Sequence, residues 1–175
     1  MYAVTQMYEA TRDFMELGGD ILVVIAWVTF LMWILIIERF IYFSTTFKRQ
    51  IRVVTERWQA RPERTSWNAY QIRQAMISRT TLEAIQFLPI IKSLISLCPL
   101  LGLLGTVTGM IEVFDAMAAF GSSDARTMAA GVSKATIPTM AGMVAALSGV
   151  FCSTWLNRKA QHELGLLNES LTTDH

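Results

Sequence analysis

Two apolar stretches on either side of a short polar loop decide the fold: CPLLGLLGTVTGM at residues 98–110 and SKATIPTMAGMVAALSG at residues 133–149. On α-helices, with about 100° per residue, the small and hydroxyl-bearing residues of each stretch gather on one face about 100–120° wide. The rest of each helix surface carries mainly Leu, Ile, Val and Met. Faces of small residues let two transmembrane helices approach closely. The pattern therefore predicts a hairpin of two membrane-spanning helices.

The glycines on these two faces are predicted to pack one helix against the other. They are Gly102, Gly105, Gly109, Gly142 and Gly149. Small-residue faces also occur in membrane proteins that transport nothing, so close packing alone is a complete alternative interpretation of the pattern.

Four residues on the same faces are predicted to line a pore: Thr106, Thr136, Thr139 and Met143. Thr106 and Thr139 are equally far from the loop, and in an antiparallel hairpin this predicts equal depth, about 12 Å below the surface. The alternative is that each hydroxyl simply bonds to a carbonyl one turn back on its own helix. Pro138, beside Thr139, has no backbone N–H, so one carbonyl of the helix loses its partner and must bond to a neighbouring helix or to water. The alternative is that the proline only kinks the helix.

Composition places the chain in a membrane. Hydrophobic residues make up 53% of the sequence and charged residues 17%, and the formal net charge is +1. The hydrophobic fraction exceeds what one compact soluble domain of this length needs. The small net charge gives no global electrostatic field that would attract nucleic acid. The histidines, His162 and His175, have no cysteine or carboxylate set at metal-ligand spacing. We therefore predict no enzyme activity, no metal and no cofactor.

The sequence predicts one more span, which is the first in chain order, and the distribution of charge predicts the orientation of the chain. Residues 21–37 are apolar apart from Thr29, and this stretch is just long enough to cross a bilayer as a helix. Residues 44–92 hold nine Lys or Arg against three Glu, and such an excess marks the cytoplasmic side. The N-terminus is then outside and the C-terminus inside. The basic cluster could also contact anionic lipid.

The predicted organisation is all-α, with seven segments in chain order. They are a periplasmic amphipathic segment 1–19, transmembrane helix 20–43, a basic cytoplasmic helical region 44–92, transmembrane helix 93–114, a periplasmic loop 115–131, transmembrane helix 132–156 and a cytoplasmic tail 157–175.

Glu112 and Lys134 are the ionisable residues nearest the outer ends of the second and third spans. Their midpoint falls in the loop, so they are predicted to share a depth. A charge within a span is a functional hypothesis with a partner to be named, and each is the obvious partner of the other. The alternative is that both side chains extend independently to the interface.

The stretch PLLGLLGTVTGM at residues 99–110, followed by ATIPTMAG at residues 135–142, resembles the MotA/TolQ/ExbB proton-channel family, and its ExbB branch most closely. The resemblance implies a bacterial inner-membrane motor subunit that forms a homopentameric ring. It also implies an ExbD-like single-span partner and a TonB-like protein that is energised by the proton motive force. Thr106 and Thr139 match positions thought to line the family's channel. The family's usual acidic residue of the third span falls on Lys134, and Glu112 could have taken over that charge.

Two other functions remain open at this stage. One is a TolQ-like motor subunit for envelope maintenance, since the same Gly-Thr-Val core occurs there. The other is a non-conducting membrane scaffold. A channel function faces one difficulty, because the spans hold no Asp, Glu, His, Lys or Arg in residues 21–37, 94–111 or 135–155. Threonine hydroxyls do not ionise near neutral pH, so we expect the chain to borrow a carboxylate from elsewhere. The resemblance implies that this carboxylate is an aspartate on the ExbD-like partner.

Overall fold

The computed structural model describes residues 2–64, 66–120 and 125–171, apart from the side chains of some helical residues near the N-terminus and around the hairpin. In these ranges the chain forms five helices: α1 (Tyr2–Ser44), α2 (Thr46–Gln59), α3 (Trp67–Ile85), α4 (Leu88–Phe120) and α5 (Ala125–Ser170). Three described stretches are long and apolar enough to cross a membrane. The predicted all-α architecture with three long apolar helices is confirmed.

The helices extend beyond the predicted spans. Much of the predicted outer loop, 115–131, is helical, because α4 continues to Phe120 and α5 begins at Ala125. The predicted tail, 157–175, is helical as far as Ser170. Hydropathy detects the apolar part of a helix, whereas the backbone hydrogen bonds continue into water wherever residues such as alanine favour them. Residues 121–124 and 172–175, including His175, lie outside the described residues.

Gly19 interrupts the helical geometry of α1. Its backbone angles are φ 64° and ψ −165°, a conformation that glycine adopts easily and other residues avoid. The interruption falls where the predicted N-terminal segment, 1–19, meets the first span. Most side chains of the predicted amphipathic face before it lie outside the described ones.

The chain divides into two compact units. Unit 1 contains residues 1–33 and 93–150, and unit 2 contains residues 34–92 and 151–175. Within unit 1, the first part of α1 packs against α4 and α5. The buried apolar residues of these three helices form its core: Leu22, Ile25, Met32, Ile95, Cys98, Ala135, Ala145 and Ala146.

Unit 2 has a separate hydrophobic cluster around Trp58. Ala69, Leu167 and Leu171 complete the cluster, so α2, α3 and the end of α5 meet there. The break between α2 and α3 contains Pro62, whose ring and missing N–H disfavour a helix interior. Helix α3 then restarts with a capped N-terminus, because the amide of Ala69 donates to the Ser66 hydroxyl at 3.2 Å.

Arg73 joins α3 to the end of α5 within unit 2. Its Nε donates to the Leu171 carbonyl at 2.6 Å, and its Nη2 donates to the carbonyl and side-chain oxygens of Asn168 at 2.9 and 2.7 Å. The last carbonyls of a helix have no partner within the helix, and a cation there also interacts favourably with the helix dipole. Arg73 therefore caps the C-terminal end of α5.

Arg39 on α1 is buried in unit 2, with 2% of its surface exposed. Its guanidinium lies 4.5 Å from the centre of the Phe87 ring and 5.0 Å from that of Tyr42. Its Nη1 donates to the Glu83 carbonyl at 3.1 Å. Aromatic faces and one carbonyl thus replace much of the hydration that this charge loses on burial.

Candidate functional site: the small-residue interface of α4 and α5

The two small-residue faces meet between α4 and α5. A Cβ added to Gly102 would lie 2.9 Å from the Thr139 Cα, and one added to Gly142 would collide with the Cys98 carbonyl oxygen. Both neighbours are backbone atoms, so the helices would have to separate to accept even an alanine. Glycine is required here because of close approach, not because of its backbone angles.

The remaining predicted packing glycines also lie at helix contacts of unit 1. A Cβ on Gly105 would meet the Pro138 ring at 2.9 Å, and one on Gly109 would meet the Ala135 Cα at 2.9 Å. A Cβ on Gly149 would lie 2.6 Å from the Met32 sulfur. The glycines therefore bring together all three apolar helices of this unit.

Thr139 uses its hydroxyl across this interface. Its Oγ1 donates to the Gly102 carbonyl on α4 at 2.8 Å. The sequence suggested either a hydroxyl that lines a pore or a hydroxyl bonded to its own helix, and the observed bond matches neither in its simple form. The hydroxyl does not bond one turn back on its own helix, and within one chain it is half-buried between two helices.

The other two threonines bond locally. Thr106 Oγ1 donates to the Leu103 carbonyl at 2.7 Å, and Thr136 Oγ1 donates to the Ser133 carbonyl at 2.8 Å. Thr136 is exposed, Thr106 is half-exposed and Met143 has 49% of its surface exposed in the single chain. These predicted pore-lining residues therefore have surface available to face something beyond the chain.

The level of Thr106 differs slightly from the sequence expectation. Contacts pair Gly105 with Pro138 and Gly109 with Ala135, so Thr106 lies between these levels rather than at that of Thr139. Thr139 itself lies against Gly102, and at 1.5 Å per residue the four residues from Gly102 to Thr106 make the offset up to about 6 Å. Counting residues from the turn assumes that the two helices are aligned residue for residue, and the crossing of real helices changes that register.

Glu112 and Lys134 lie together, as their spacing from the loop predicts. Lys134 Nζ is 3.6 Å from Glu112 Oε2, and the two side chains are 46% and 68% exposed. Water screens such a pair, and exposed ion pairs contribute about 0–1 kcal/mol. The pair therefore contributes little to the stability of the fold.

The sequence analysis missed a cavity of about 240 Å³ beside this ion pair. Asp20 lines it together with Glu112, Lys134 and Thr108. Asp20 follows the interruption at Gly19, and the direction that a chain takes after such an interruption cannot be deduced from residue spacing. The sequence feature that could have indicated the cavity is a pair of glycines followed by an acidic residue at the start of an apolar span.

Trp27 and Trp33 on α1 are 63% and 37% exposed in the single chain. Trp27 packs edge-on against Phe30, with 6.1 Å between ring centres. Apolar surface of this size on a span is typical of contact with lipid or with another helix.

These features define a multi-pass membrane protein built around a closely packed pair of small-faced helices. The chain belongs to the MotA/TolQ/ExbB proton channel family, whose sequence profile matches residues 42–169. The matched range contains both small-residue faces and the whole of residues 44–92.

Two curated relatives agree with the ExbB branch. The chain is 44% identical over 61 residues to a putative biopolymer transport protein ExbB-like 1 of Synechocystis, covering 33% of this chain and 24% of the relative. It is 41% identical over 78 residues to the biopolymer transport protein exbB1 of Vibrio cholerae, covering 40% of this chain and 34% of the relative. The matched segments thus span about a quarter to a third of each relative's own length.

Proposed function

We propose that this protein is a proton-channel subunit of an ExbB-like motor in the bacterial inner membrane. With an ExbD-like single-span partner, it uses the proton motive force to energise TonB-dependent transport across the outer membrane. The observation that carries the proposal is the family match over residues 42–169. The names of the two relatives favour an ExbB-like role over a TolQ-like one.

The proposed assembly is a homopentameric ring with the N-terminus in the periplasm and the basic region of residues 44–92 in the cytoplasm. The excess of nine cations over three anions supports this orientation. Thr106, Thr136, Thr139 and Met143 line the central lumen in this arrangement, and the small-residue interface behind them holds their helices in place.

The partner supplies the proton carrier. The apolar spans contain no ionisable side chain in residues 21–37, 94–111 or 135–155, and hydroxyl groups order water without ionising near neutral pH. An aspartate on the partner's single span, beside the threonines, provides the group that alternately binds and releases protons. The driving force is about 2.3 kcal/mol per charge for each 100 mV of membrane potential.

A non-conducting scaffold is the second candidate, and one observation favours it. The Thr139 hydroxyl is bonded to the Gly102 carbonyl inside one chain, which is what a purely packing role would require. The two functions differ in what they ask of this hydroxyl. A scaffold needs the shape of the residue, whereas a hydrated proton path needs the hydroxyl itself.

Replacing Thr139 separates these functions. Thr139→Val keeps the volume and removes the hydroxyl, and hydrogen bonds between membrane helices contribute about 0.6 kcal/mol on average. We expect normal protein levels and assembly but at least a tenfold loss of proton-driven transport. Thr139→Ser keeps the hydroxyl and should retain most activity. Measurements of energised uptake in cells, alongside membrane protein levels, test this prediction, and full activity of Thr139→Val at normal levels would favour the scaffold.

A further inference from the structure

The cavity of about 240 Å³ in unit 1 has a mixed lining. Its outer part carries Asp20, Glu112 and Lys134, and its inner part reaches Gly105 and Pro138. A water molecule takes about 30 Å³ in the liquid, so there is room for several, and the polar groups can hydrogen-bond them. The cavity is therefore built to hold water at the end of the spans.

The inner end of the cavity adjoins the threonine interface. Pro138 precedes Thr139, whose hydroxyl bonds to Gly102 on α4, and Gly105 lies one turn beyond Gly102 on the same helix. Water in the cavity thus comes within about one helical turn of that hydroxyl.

The charges around the cavity favour cations. Two carboxylates, on Asp20 and Glu112, stand against one ammonium group on Lys134. Lys134 neutralises one of them through the ion pair at 3.6 Å, which leaves one net negative charge. A cleft with a net negative charge raises the local concentration of cations.

We propose that this cavity is a hydrated, cation-attracting vestibule that connects the end of the spans near Gly19 with the interface at Thr139. It deepens the proposed function, on which its purpose rests, by assigning Asp20, Glu112 and Lys134 to the access of protons to each subunit. The backbone conformation of Gly19 turns the chain so that Asp20 lines the cavity. The ion pair between Glu112 and Lys134 leaves the cavity with about one net negative charge.

Thiol labelling tests the vestibule without requiring transport. In a chain with Cys98→Ala and Cys152→Ala, Thr108→Cys places a thiol in the cavity, and Val107→Cys is a matched control at the same depth outside it. Charged methanethiosulfonates are added to spheroplasts. We expect the cationic reagent to modify Thr108→Cys about tenfold faster than Val107→Cys, and faster than the anionic reagent does.

Charge variants then test selectivity. Asp20→Asn should lower the ratio of cationic to anionic labelling at residue 108 about threefold or more, and Lys134→Met should raise it. Equal labelling of residues 107 and 108, or an unchanged ratio in both charge variants, would overturn the proposal. If Thr108→Cys does not reach the membrane, Glu112→Cys against Ile111→Cys makes the same comparison of accessibility.

The labelling outcome is independent of the proposed function. Slow labelling together with intact proton-driven transport would remove the vestibule and leave the motor assignment standing. Fast, charge-selective labelling in a protein that transports nothing would support the vestibule and remove the motor assignment.

Discussion

Arg39 and Thr139 show how differently single polar residues are accommodated in this apolar chain. Thr139 is satisfied by one carbonyl across a glycine contact. Arg39 carries a full charge, and two aromatic rings and the Glu83 carbonyl surround it. Glu38 Oε2 is 3.5 Å from Arg39 Nε, and the Arg39 side chain is buried.

Replacing Arg39 should destabilise unit 2. Arg39→Met leaves the Glu83 carbonyl without this donor and removes two cation–π contacts, a combined loss of about 2–3 kcal/mol. Thermal unfolding of the purified protein in detergent measures it. Glu38→Gln is the matched control, because Glu38 is about half exposed and such partners contribute about 0–1 kcal/mol. Equal unfolding temperatures for the two variants would show that the buried guanidinium is unimportant.

At the scale of helices, the glycine faces determine the α4–α5 contact. Gly142→Ala puts a methyl group onto the Cys98 carbonyl, and a rigid backbone neighbour cannot move aside cheaply. We expect a destabilisation of about 1–3 kcal/mol, as for other overpacked sites, seen as a lower unfolding temperature in detergent.

Gly165→Ala is the control on the same helix. A Cβ at Gly165 meets nothing within 4 Å, so alanine should stabilise α5 by about 0.5–1 kcal/mol through helix propensity. The prediction fails if the two alanine variants shift the unfolding temperature in the same direction.

Residue spacing predicted the contacts between α4 and α5 well, because the residues that share a face of a helix follow directly from the helical repeat. The small faces and the proximity of Glu112 and Lys134 both follow from the local pattern. The cavity beside Asp20 and the burial of Arg39 could not be predicted, since both depend on how distant segments pack. The helix ends could not be predicted either, because hydropathy marks only the hydrophobic span and a helix can extend beyond it.

At the scale of the whole molecule, the central claim concerns where the proton carrier resides. The family match and the small-faced helices support a channel subunit, yet the apolar spans lack an ionisable side chain. In the proposed motor the carboxylate comes from the ExbD-like partner, so the chain alone should not conduct protons.

Proton flux into liposomes tests this claim most directly. Three preparations are compared under the same membrane potential: the protein alone, the protein with the proposed ExbD-like partner, and the same complex with the aspartate proposed for the partner's span changed to asparagine. We predict selective flux for the wild-type complex alone. Substantial proton-selective flux through this protein without the partner, or through the asparagine complex, would contradict it.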